Sequence, residues 1–172
     1  MVSEYQEHQY FRQLWLIALF ALLLLANLYA LVKQVFMDIP VGSNPAPDGA
    51  VLFSFFLFLL LFVLLLSAHL DLKIDKEGIS FRYFPLLLCW RHYRWEDIEE
   101  LEVKKIKPLR DMGGWGIRLV AGGGVAYTVR GNKVIRILLK NGKIRYLGIS
   151  DDETVQQALQ QFSPLKKRNP HT

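Results

Sequence analysis

Two stretches of the chain are apolar without interruption, and almost everything after them alternates. From Leu14 to Val32, and again from Ala50 to Ala68, 19 residues pass without a charge. As helices these runs reach about 28 Å each, close to the ~30 Å of a bilayer's hydrocarbon core. Between them, Pro40, Gly42, Pro45 and Pro47 oppose helix continuation. The pattern predicts an N-terminal segment over 1–13, a transmembrane helix over 14–32, an outer loop over 33–49 and a second span over 50–69. The first run is longer than a signal peptide's apolar core, the segment before it, with Glu4 and Glu7 against Arg12, is not basic, and a second run follows at once.

After His69 the apolar positions recur every second residue, in short runs separated by turn residues, which is the mark of antiparallel strands. Expected strands are Leu70 to Ile74, Ile79 to Phe84, Arg91 to Trp95, Ile98 to Val103, Gly116 to Val120, Val125 to Val129, Val134 to Leu139 and Ile144 to Ile149. The last two are joined through Asn141-Gly142, a strong hairpin signal because both residues tolerate positive φ. A helix follows, with Ser150 as expected N-cap, Glu153 completing a capping box, and Val155, Ala158, Leu159 and Phe162 on one face until Pro164. These elements place a domain over 70–163 and a basic tail, with Lys166, Lys167 and Arg168, over 164–172.

Several strands closed by one helix is the layout of a pleckstrin-homology-like (PH-like) domain. Residues Gly113-Gly114-Trp115-Gly116-Ile117-Arg118, Ala126-Tyr127-Thr128-Val129, Gly131-Asn132, Leu147-Gly148, Arg82-Tyr83-Phe84-Pro85 and Trp95-Glu96-Asp97-Ile98 resemble uncharacterised bacterial membrane proteins that carry a PH-like domain behind two spans. The resemblance covers most of 70–162. It implies an antiparallel β-barrel or sandwich with a C-terminal capping helix behind a membrane hairpin, and no activity or ligand.

Charge sets the expected orientation. Asp71 and the residues after it hold 19 of the 21 Lys and Arg and 12 of the 16 acids, a surplus of seven. Arg12, Lys73, Lys76 and Arg82 flank the spans on one side against Lys33 in the loop. The positive-inside tendency therefore puts both termini in the cytoplasm, and the resemblance implies that the membrane is a bacterial inner membrane. Neither run contains a charge, which argues against an ion or proton path. Asn27 and Ser54 fall at equal depth in an antiparallel hairpin; they either hydrogen-bond to one another, or Asn27 pairs between copies of the chain.

The segment Phe84 to Trp95 is the main candidate contact. Phe84, Leu86, Leu87, Leu88, Trp90, Arg91, Arg94 and Trp95 combine apolar bulk with cations, as a loop dipping into headgroups requires. The competing expectation packs Leu86 to Leu88 inside the domain or against a partner subunit. The basic group Lys104, Lys105, Lys107 and Arg110 follows an acidic run over 96–102, so two surfaces of opposite sign could dock identical domains or recruit a partner.

Chemistry is sparse. Cys89 is the single cysteine, read as a small hydrophobe, and His8, His69, His92 and His171 lack any spacing that would join two of them on a helix face. No metal, cofactor or catalytic residue is expected. Gly122-Gly123-Gly124 lacks the Lys and Ser/Thr of a phosphate loop and reads as a turn, and Trp115 reads as a packing anchor. Nucleic-acid binding has charge alone in its favour. The expectation is a non-enzymatic interaction or assembly module at the cytoplasmic membrane face, partnered by lipid through its spans and by copies of itself or another membrane protein. Alternatives are an anionic-lipid-binding domain, with Lys73, Arg82, Arg91 and Arg94 at the headgroups, and an accessory subunit of a larger complex.

Overall fold

The computed structural model describes residues 4–120 and 122–164; the expected basic tail beyond Pro164 lies outside them. The chain forms two units, one over 12–67 and the other combining 1–11 with 68–172.

In the first unit, helix α1 (Leu14–Leu31) continues through a π-helical turn over Val32–Phe36, and helix α2 covers Asp48–Ser67. Both are long and apolar enough to cross a membrane. Apart from buried Leu31 and Val51, their large apolar side chains are exposed or half-exposed, an arrangement stable in water only under a cover. The connection is tied at its base by Gln34, whose Nε2 donates to Asp48 Oδ1 at 2.8 Å.

The second unit contains two sheets and a helix. Strands β1 (Tyr5–Tyr10), β2 (His69–Ile74), β3 (Gly78–Phe84) and β4 (Leu87–Arg94) form an antiparallel sheet in sequential order. Strands β5 (Ile98–Lys105), β6 (Gly116–Leu119), β7 (Val125–Thr128), β8 (Lys133–Leu139) and β9 (Ile144–Ile149) form the other, ordered β5-β8-β9-β7-β6. A single-turn helix α3 (Pro108–Asp111) bridges β5 and β6. The inward positions predicted by alternation meet in one core: Leu70, Leu72, Ile74, Ile79, Phe81 and Tyr83 from the first sheet, and Tyr127, Val129, Ile135, Ile137, Leu147 and Ile149 from the second.

Helix α4 (Asp152–Phe162) closes that core with Val155 and Ala158 buried and Leu159 and Phe162 packed beside them. Its N-cap is Asp151, which accepts from Glu153 N at 3.0 Å, in place of the expected Ser150. The Ser150 Oγ instead accepts from Arg130 Nη2 at 3.1 Å, and its amide donates to Glu7 Oε1 at 2.8 Å in the N-terminal strand.

Three features depart from expectation. The barrel is not closed: the two sheets stay separate, and β7 pairs with β9 in parallel. Such neighbours cannot share a tight turn, and here β8 supplies the return, pairing antiparallel with β9 on its other side. Gly124 allows the approach: at φ +102°, a Cβ at this position would lie 2.8 Å from Ile144 O. Next, residues 5–10 are a strand of the domain, paired from Tyr5↔Ile74 to Tyr10↔His69. Buried Gln9 also donates from Nε2 to Gly148 O at 2.8 Å, tying this strand to the second sheet. Finally, the strand expected at Arg91 begins at Leu87, so most of the Phe84 to Trp95 segment is half of a β-hairpin.

Candidate functional site

The outer face of the first sheet gathers most of the chain's chemistry. With Leu70, Leu72 and Ile74 turned inward, alternation turns His69, Asp71 and Lys73 outward on β2. Register then sets His8 opposite Asp71 and Tyr10 opposite His69 on one side, and Arg82 opposite Asp71 and Phe84 opposite His69 on the other. Asp71 is only 7% exposed although it faces out, because its neighbours cover it.

The Asp71 carboxylate is fully engaged. Arg82 donates to Oδ2 from Nε at 2.9 Å and from Nη2 at 2.5 Å, His8 Nδ1 contacts Oδ1, and His69 Nε2 lies 3.6 Å from Oδ2. Burial pushes the Asp71 pKa up, but the hydrogen bonds from Arg82 and His8 and the adjacent imidazoles outweigh it and hold the group below its ordinary value. The rings are fixed in turn: His69 stacks on Phe84 with centroids 5.1 Å apart, and His8 meets Tyr10 edge-on at 4.5 Å. Arg82 extends the row, its guanidinium carbon 5.2 Å from the Trp90 ring centre. Lys73 pairs with Glu4 at 2.8 Å and Asp75 at 3.4 Å.

The hairpin β3–β4 sorts the expected contact residues into three groups. Leu86 (69%), Leu88 (65%) and Trp90 (48%) are exposed, as are Arg91 and Arg94, the latter beside Glu96 at 3.4 Å. Leu87 and Phe84 are half-buried, Leu87 against the core and Phe84 against His69. Trp95 does not belong to the surface. It is buried in the core, and its Nε1 donates to Asp75 O at 3.0 Å, because the chain turns inward through a 3-10 turn over Trp95–Asp97. Cys89 is exposed rather than packed.

Sequence spacing missed the His8, His69 and Asp71 cluster because His8 and Asp71 are 63 residues apart and meet only through strand pairing. Elsewhere, Ser54 Oγ donates to Asn27 Oδ1 at 2.8 Å across the helical pair. Trp115 donates from Nε1 to Gly131 O at 3.0 Å, anchoring the glycine-rich bend. No protein-family profile matches the chain, and no curated protein matches it.

Proposed function

We propose that this chain is a non-enzymatic, PH-like interaction module anchored in a bacterial inner membrane by α1 and α2, with both termini cytoplasmic, and that its β3–β4 hairpin rests among anionic headgroups. One observation carries the reading. The pairing of Phe84 with His69, and the hydrogen bond from Phe11 N to Ala68 O at 2.9 Å, put the hairpin turn at the end of the sheet where the chain departs for α1 and returns from α2. Leu86, Leu88 and Trp90 are exposed on this hairpin and Arg91 is exposed in the same strand, a pairing of apolar bulk with a cation that suits lipid headgroups and their phosphates. Tethering supplies a high local concentration, so weak contacts suffice.

Cys89 sits between Leu88 and Trp90 and offers the test. The full chain, labelled there with an environment-sensitive fluorophore, is placed in nanodiscs of neutral or anionic lipid doped with spin-labelled headgroups. Quenching that is stronger on anionic lipid, weakens with salt and falls in a Leu86→Asp, Leu88→Asp variant supports the reading. Equal, negligible quenching in all discs sinks the lipid contact. The assembly reading draws support from Leu109 and Leu119, both exposed, with Leu119 on an edge strand. A defined multimer by light scattering in detergent, lost in Leu119→Lys, would favour it.

A further inference from the structure

Headgroup contact leaves the other half of the outer sheet face, around Asp71, without a task. Three potential metal donors meet there for a reason that precedes any rotamer. His69 and Asp71 are two residues apart on one strand, and His8 lies directly across the ladder from Asp71, so all three stand on one face as nearest neighbours. Their donor atoms fall within 4.8 Å of one another. A tetrahedral zinc site of nitrogen and oxygen ligands needs donors about 3.3 Å apart, within reach of small side-chain rotations.

The surroundings resemble those of a metal centre in two further respects. Arg82 grips Oδ2 and so orients the carboxylate, while stacking on Phe84 orients His69, the kind of outer support that ligating groups receive. His8 is exposed, which leaves a side open for water as a further ligand. Two imidazoles with a single carboxylate suit a borderline transition ion, whereas calcium and magnesium demand six or more oxygens.

We propose that His8, His69 and Asp71 bind one divalent transition ion of the zinc class, with water completing the shell. The ion would clamp β1 to β2 at the point where both strands lead to the helices, making strand pairing responsive to metal supply. Because Arg82 already balances the Asp71 charge, the site holds together as an ion-pair network when metal-free.

The test uses the full chain without a histidine tag, in nanodiscs, with Co2+ alone and Zn2+ alone as probes. Expected are one ion per chain, visible Co2+ bands that Zn2+ abolishes, and a raised melting midpoint with Zn2+. His8→Gln and His69→Gln should each weaken binding at least about tenfold, while His92→Gln and His171→Gln leave it unchanged. Melting in chelator checks that the variants remain folded, and exposed His8 is the safer replacement. Absence of stoichiometric binding, or wild-type affinity in folded His8→Gln, overturns the proposal. The outcome is independent of the Cys89 quenching result, so either reading can fail alone.

Discussion

The helical unit turns its large apolar side chains outward, and the strand unit turns them inward. Phe53 in α2 is 69% exposed, while Phe81 in β3 is fully buried between the two sheets, its ring 4.8 Å from that of Tyr127. The same residue type serves opposite solvents, and burial within the chain therefore measures stability in only one of the units. The largest expected effect follows from this. Phe81→Ala should destabilise the strand unit by about 3 to 5 kcal/mol through lost transfer energy and the cavity left behind. Phe53→Ala should change that unit by less than about 0.5 kcal/mol. Denaturant titration in micelles, followed by Trp95 fluorescence, compares the two. Equal losses would break the contrast.

The boundary between the units can be sharpened at a single residue. Strand β1 precedes the first helix yet belongs to the strand unit, and Gln9 is its deepest side chain. Gln9→Ala removes the hydrogen bond to Gly148 O, at an expected cost of about 0.5 to 1.5 kcal/mol. Gln6→Ala, on an exposed position of the same strand, should leave the midpoint unchanged. If both variants melt like the wild type, β1 is an ornament on the domain rather than a part of it. The same point governs fragment design: a piece beginning at residue 70 lacks a whole edge of the first sheet.

The elements differed in legibility for physical reasons. Charge-free runs and period-two alternation report local burial, so both apolar helices, the strands around Asn141-Gly142 and the apolar face of α4 could be read directly. Strand β1 could not, because in Tyr5-Gln6-Glu7-His8-Gln9-Tyr10 an inward position is occupied by Gln9, a polar residue whose partner lies 139 residues away. The parallel β7–β9 pairing leaves no local trace either, since alternation is the same whichever way a neighbour runs. Composition groups Trp95 with the surface aromatics, whereas its burial depends on the turn that follows β4. The Asp71 cluster shares the difficulty of β1: its members become neighbours only once that strand is paired.

Polar groups invert between the units as apolar ones do. On the strand unit they form an outward network around Asp71, whereas the helical pair joins Ser54 Oγ and Asn27 Oδ1 to each other. That bond should be worth little. The Ser54 hydroxyl has one proton and an alternative acceptor in Val51 O at 2.9 Å, and Asn27 Nδ2 already donates to Leu23 O at 2.9 Å. A double-mutant cycle with Asn27→Leu and Ser54→Ala, read by helix-pair dissociation in the bilayer, should give a coupling of about 0.6 kcal/mol. Zero coupling together with a change in oligomer mass in Asn27→Leu would assign Asn27 to a contact between copies. Zero coupling with unchanged mass would leave the pair held by close packing of the two helices alone.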